Sequence, residues 1–245
     1  MHEDLPIIES TSDCFVSVKF GDEINAQING KVHNLLELLN NNPNIGILDL
    51  IPSYNSILIQ YNPVHLSLAD LKQMIENRLV ELFHTDSRQT VIDIPVLYGN
   101  KYGQDLEYVA KHNNLTVDQV IEIHSSPKYL VYMLGFTPGF PYLGGMDESI
   151  STPRLTTPRT ITPAGSVGIA DKQTGIYPSE SPGGWRLIGK TPVTLFNHLQ
   201  NTPSLIMPGN LVRFTPLKSL EEFENISKLS KNNKFKLNKS IHDGN

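Results

Sequence analysis

LGFTPGFPYLGGMDESISTPRLTTPRTITPAGSVGIADKQTGIYPSESPGGWRLIGKTP, residues 134–192, decides how the rest of the chain is read. It holds more than half of the glycine and proline residues taken together, set between short apolar and aromatic pieces. Glycine allows positive φ and close backbone approach, whereas proline fixes φ and removes a donor. Turns recurring at about 8–12 residues read as short strands joined by tight corners. Without a three-residue period the stretch is not collagen. Phe136, Phe140, Tyr142, Leu143, Ile169, Ile176, Tyr177, Trp185, Leu187 and Ile188 need a core, which argues against disorder. The stretch is read as the wall of a small β-barrel that carries a site.

Upstream, residues 14–20 alternate as a half-buried strand does. Between Asp22 and Asn42, Ile24, Ile28, Val32, Leu35, Leu36 and Leu39 recur at helical spacing, and Pro43 ends that helix. Residues 45–51 and 56–61 read as a hairpin around Pro52 to Asn55. A second helix opens at Ser67 with Asp70 and buries Leu68, Leu71, Ile75, Leu79 and Leu82. Residues 90–96 form a further strand. The order strand, helix, strand, strand, helix, strand is that of a ferredoxin-like α/β domain, placed at residues 1–90. The last of these strands equally suits the start of the second domain.

Short helices follow at 104–112 and 117–124, the second with the capping box Thr116 and Gln119, and then a strand at 128–134. Beyond the Gly/Pro stretch come strand pieces at 194–196 and 211–214 and a helix at 219–229 capped by Ser219 and Glu222. The Lys- and Asn-rich residues 228–245 are expected to fray. The fold class is therefore α+β, with the second domain spanning residues 91–227.

With 39% hydrophobic residues the chain buries a real core. A net charge of −5 argues against nucleic acid as the main partner, while leaving room for one local basic pocket. One cysteine, Cys14, allows neither an internal disulfide framework nor a cysteine-cluster metal site. The opening MHEDLPIIES lacks a basic patch followed by an apolar run, and no window is long and apolar enough for a membrane helix. A cytoplasmic protein without membrane contact is expected.

Gly184 to Thr191 matches GxxxxGK[ST] literally, but Trp185, Arg186, Leu187 and Ile188 fill the gap where a phosphate loop needs small residues. Ser166 misses the nucleophile elbow because position 164 is alanine, and a turn serine is the better reading. His124 is either a general base or anion contact, or a cation at a helix C-terminus. Arg154, Arg159, Arg186 and Lys190 stand near glycine turns, a recipe for carboxylate or phosphate binding; the alternative is solvated surface charge. Tyr142, Tyr177 and Trp185 are pocket walls or core. No HxxxH or HExxH spacing exists, so no tightly bound metal is expected.

The runs VYMLGFTPGFPYLGG at 131–145, PAGSVGIA at 163–170 and TGIYP through SPGGW at 174–185 resemble the B-subunit family of bacterial 5-oxoprolinase. That family includes the Kip-type inhibitor of a sporulation histidine kinase and allophanate hydrolase subunit 1, and is related to the urea carboxylase carboxyltransferase domain. The resemblance implies that the second domain is a cyclophilin-like β-barrel. It implies partners, subunits C and A, in an assembly that hydrolyses 5-oxo-L-proline to glutamate with consumption of ATP, with Mg accompanying the ATP. A subunit inactive alone is expected. The alternatives are a histidine kinase inhibitor, a subunit of a related allophanate or urea enzyme, and, last, a prolyl isomerase.

ATP-dependent opening of a lactam needs anion stabilisation more than a strong nucleophile, and His124, Arg159 and Arg186 are expected to carry the chemistry. Phe140, Tyr142, Pro163, Gly165, Ser166, Val167, Gly168, Gln173, Tyr177, Trp185 and Lys190 are expected to bind substrate, with the backbone of 165–168 holding an anion. The chain departs from the family pattern at Asp171 and Lys172, at Lys190 where arginine is frequent, and at Asn210 where aspartate is commoner.

Overall fold

The computed structural model describes residues 5–23, 25–41, 43–81 and 88–243. The chain divides into two compact units, Met1–Arg88 with Asp243–Asn245, and Gln89–His242.

In the first unit, strands β1 (Ile7–Ser12), β2 (Phe15–Lys19), β3 (Ile47–Pro52) and β4 (Ser56–Tyr61) form an antiparallel sheet in the order β1-β2-β4-β3. Register pairs Val16 with Ile59 and Val18 with Ile57, so the strand alternation puts these four on one face. Helices α1 (Ala26–Asn41) and α2 (Leu68–Glu81) cover that face with Val32, Leu35, Leu39, Leu71, Ile75 and Leu79, all buried. Each such side chain contributes about 1.5–3 kcal/mol. Ser67 Oγ accepts from Asp70 N at 3.1 Å, the expected cap of α2. Of the predicted stripe residues, Ile24 and Leu82 lie outside the described residues.

This sheet differs from the strand content expected of a ferredoxin-like domain. The edge beside β2 is taken by β1, which pairs through the short turn at Asp13–Cys14, while residues 90–96 belong to the second unit. There they are part of β5 (Arg88–Tyr98), whose Val91, Ile92, Ile94 and Val96 are buried.

The second unit is built around a closed barrel. Its remaining strands are β6 (Tyr129–Leu134), β7 (Pro141–Gly144), β9 (Ser166–Ala170), β10 (Gln173–Ile176), β12 (Arg186–Lys190) and β13 (Leu211–Pro216). Around the barrel the order is β12-β9-β10-β7-β6-β13-β5, and β5 pairs back onto β12 at Leu97 and Tyr98. Six neighbouring pairs are antiparallel and β13 runs parallel to β5. Ile94, Val131, Leu143, Val167, Ile169, Ile176, Ile188 and Phe214 fill the interior, so this is a packed barrel and not a pore. A separate ribbon, β8 (Arg159–Thr162) with β11 (Ser181–Gly183), stands apart from the barrel ladder.

Helices α3 (Leu106–His112) and α4 (Val117–Ser125) occupy the crossover from β5 to β6, and α4 has both halves of the Thr116–Gln119 capping box. Helix α5 (Leu220–Lys231) is capped by Ser219, whose side chain accepts from Glu222 N. Two expectations change. Residues 194–196 make one isolated bridge, Phe196 to Ser204, in place of a strand. The tail expected to fray forms β14 (Lys239–Asp243) beside β5, because Asp93 N donates to Asn238 O and Asn238 Nδ2 donates to Asp93 Oδ2 at 2.7 Å.

Candidate functional site

The loop from β6 to β7, the ribbon and the start of β12 enclose a cleft of about 240 Å³. Phe140 is the hub of its wall. Its ring meets those of Phe136, Tyr142, Tyr177 and Trp185 edge to face at 5.3–5.6 Å, the arrangement that brings ring edges onto π faces. Phe140 and Tyr177 are 2% exposed and Trp185 8%, so the wall is fixed by packing while one surface of it stays open. Burial raises the Tyr177 phenol above its usual pKa, and it stays neutral at physiological pH.

Arg154, Gln173, Leu155, Pro158, Gly183 and Gly184 complete the lining. Arg154 Nε donates to Asp171 Oδ2 at 3.3 Å, and both side chains are more than half exposed. An ion pair so exposed is worth about 0–1 kcal/mol, so the guanidinium is free to turn to an anion in the cleft at small cost. At the wall, Gly183 is required by space. A Cβ there would stand 2.4 Å from the Tyr177 hydroxyl and 2.8 Å from Thr162 Oγ1. Gly183→Ala is expected to cost about 1–3 kcal/mol and to displace Tyr177; thermal unfolding, with Trp185 emission as the local probe, checks this.

Of the residues expected at the site, Phe140, Tyr142, Gln173, Tyr177 and Trp185 do line the cleft. The other expected residues do not. Pro163 is exposed at a turn, Val167 is core, and Gly165 N and Ser166 N donate to Tyr177 O and Pro163 O. Gly168 is held between β10 and β12. These N–H groups are committed to the fold, which removes the expected backbone anion cradle.

Arg159 acts as a bolt between elements. Its Nη2 donates to Asp105 Oδ2 at 2.7 Å and its Nη1 to Trp185 O at 2.9 Å. The same Asp105 oxygen accepts from Leu187 N at 2.6 Å, tying α3, β8 and β12 together. Arg186 leaves the cleft too: its guanidinium lies 3.8 Å from the centroid of the Tyr108 ring, and its Nε donates to Pro153 O. Lys190 projects elsewhere on β12, beside Tyr102.

His124 is fully buried in the barrel. Thr174 Oγ1 donates to Gly168 O, which leaves its oxygen to accept from His124 Nε2 at 2.8 Å; Nδ1 then accepts from the Tyr98 hydroxyl at 2.7 Å. The ring also stacks on Phe214 at 4.5 Å. Burial lowers its pKa from 6.5 to about 3, so it is a neutral structural group and does not line the cleft.

The unfolded chain protonates His124 near 6.5 and the folded one only near 3, so between these values the unfolded state binds more protons. Stability is therefore full above 6.5 and falls with pH below it, by about 2 kcal/mol on reaching pH 5. Urea unfolding at pH 7 and pH 5 measures this, and an equal loss in His124→Gln would assign the dependence to other groups.

Arg154, one of the four candidate anion contacts, lines the cleft, while sequence reading missed Phe136 at the rim and Asp105 beneath the wall. Phe136 has φ 61°, a left-handed conformation unusual for an aromatic residue, and its exposure of 66% places an apolar ring at the mouth. Among the described residues no group of three or more His, Cys, Asp or Glu is placed to hold a metal, and no helix is long and apolar enough to cross a membrane.

Residues 6–206 match the family model for the carboxyltransferase domain, subdomain C and D. The chain belongs to this family. It is 44% identical over 218 residues to the 5-oxoprolinase B subunit of Bacillus subtilis, covering 84% of this chain and 91% of that one. Identity to the 5-oxoprolinase B subunit of Haemophilus influenzae is 46% over 168 residues, covering 69% and 78%. Among solved structures, that of TTHA0988 superposes with a TM-score of 0.75 at 36% identity, over 84% of this chain and 40% of the other. The runs at 131–145 and 174–185 supply Phe140, Tyr142, Tyr177 and Trp185 to the cleft wall.

Proposed function

We propose that this chain is the B subunit of an ATP-dependent 5-oxoprolinase and that the aromatic cleft receives 5-oxo-L-proline. The observation that carries the reading is 44% identity across 91% of the Bacillus subtilis protein. The cleft's chemistry supports it. A small flat lactam ring suits walls of Phe140, Tyr142, Tyr177 and Trp185, Arg154 suits its carboxylate, and the Gln173 amide suits its amide edge.

An unstrained lactam is a poor electrophile. In the proposed reaction ATP phosphorylates the lactam oxygen and water adds to the ring carbon. The C–N bond opens to give the amine and an acyl phosphate, and a second water releases phosphate and glutamate. Such chemistry needs stabilised anions more than a strong nucleophile, consistent with a cleft that has an arginine and no catalytic triad. Subunits C and A complete the assembly in this proposal, and the cyclophilin-like description of the barrel belongs to it as well.

The test is ATP-dependent glutamate release from 5-oxo-L-proline by this protein alone, by its candidate partners alone and by the mixture. Activity only in the mixture is the expected result. A mixture of folded proteins that releases no glutamate overturns the reading. The cleft is tested separately by titrating the protein with 5-oxo-L-proline while following Trp185, the one tryptophan of the chain. A saturable change in emission, weakened about tenfold or more in Arg154→Ala, is expected.

A further inference from the structure

Two lysines from separate elements gather over one aromatic ring, and neither lines the cleft. Lys101 stands in the turn after β5 and Lys190 ends β12. The Lys101 Nζ lies 5.1 Å and the Lys190 Nζ 5.7 Å from the centroid of the Tyr102 ring. That ring stacks on Phe223 of α5 at 4.7 Å, which fixes it as a rigid base under both ammonium groups. Ring quadrupoles attract such cations, so Tyr102 draws the two lysines to one place despite their repulsion.

Neither forms an ion pair among the described residues. This is notable in a chain with a net charge of −5, where carboxylates are in excess. Lys190 is half-buried, and burial, Lys231 and Lys101 together hold its pKa below the usual lysine value. Like charges drawn together without a carboxylate are destabilising, and an anion of multiple charge reverses the sign of that interaction.

We propose that Lys101 and Lys190 form a binding site for a multiply charged phosphate oxyanion, with Tyr102 and Phe223 as its apolar base. Two point-charge donors from different elements suit a phosphate with several acceptor oxygens, whereas a single carboxylate is matched by one lysine or by a planar arginine fork. The literal GxxxxGKT at 184–191 contributes through its lysine alone. Lys190 sits in a β-strand registered with Ser166 of β9 and Leu97 of β5, so no phosphate loop forms there. The site is independent of the function proposed for the cleft.

The experiment titrates the full-length protein with inorganic pyrophosphate by calorimetry at low ionic strength. One saturable site is expected, weakened by added salt. Lys190→Gln and Lys101→Gln are each expected to weaken it about tenfold, while Lys190→Arg stays near the parent. In the parent itself, pyrophosphate is expected to slow reductive methylation of Lys101 and Lys190 but not of Lys111, a readout that needs no variant. Displacement by ATP assigns the site to a nucleotide phosphate, and displacement by inorganic phosphate but not ATP assigns it to the free anion. Absence of saturable pyrophosphate binding, binding unchanged in the double glutamine variant, or capture of a polyglutamate peptide in preference to pyrophosphate overturns the proposal.

Discussion

Asp105→Ala is expected to lower stability by about 3 kcal/mol, the largest effect of any single polar substitution in the second unit. One carboxylate oxygen receives both Arg159 Nη2 and Leu187 N, and its side chain is 11% exposed against 20% for the arginine. Alanine leaves a largely buried guanidinium with only the Trp185 carbonyl, and leaves the Leu187 amide without its acceptor. A loss of that size moves the thermal midpoint by roughly 6–12 °C for a unit of this length. Asp105→Asn keeps an acceptor and loses the charge, so its midpoint should fall between those of parent and alanine variant. A midpoint for Asp105→Ala indistinguishable from the parent's would show that the bolt is not needed.

Trp185→Ala is expected to cost about 3–5 kcal/mol and to abolish binding in the cleft. The indole is 8% exposed, meets Phe140 at 5.6 Å and Tyr177 at 6.2 Å, and fills the space over Gly168 and Gly175. Removing it opens a cavity in the wall and frees the Phe140 hub on one side. Trp185→Phe keeps a ring there and separates the two effects. Its stability should recover most of the loss, while calorimetric binding of 5-oxo-L-proline stays weaker than in the parent. Equal binding in all three proteins would place the ligand elsewhere.

The sequence was most legible where a local rule has a local cause. The Thr116–Gln119 box, the Ser219 cap and the Ser67 cap each depend on residues three apart, and each is present. The stripe of α1 and the alternation of β2 and β4 depend only on helical and strand periods. The aromatic wall was half legible. Clustered rings among glycines pointed to either a pocket or a core, and Phe140, Tyr177 and Trp185 turn out to be both, nearly buried yet bordering the cleft.

His124, Arg159 and Arg186 lie away from the cleft for a shared reason. A polar residue's role depends on what the fold puts opposite it, and those groups are distant in the chain. His124 meets Thr174 and Tyr98 only because the barrel closes, and Arg159 meets Asp105 across 54 positions. Arg154 looked equivalent to its neighbours, but it alone of the three arginines lines the cleft.

By itself, the sequence determined the two-part α/β organisation, the helices with their caps, and the Gly/Pro stretch as barrel wall, because periodicity and turn chemistry act over a few residues. Only the tertiary structure decided that β1 completes the first sheet, that residues 90–96 serve the barrel, and that two lysines meet at Tyr102. Those outcomes rest on strand pairing and charge placement between segments far apart in sequence, which no local pattern encodes.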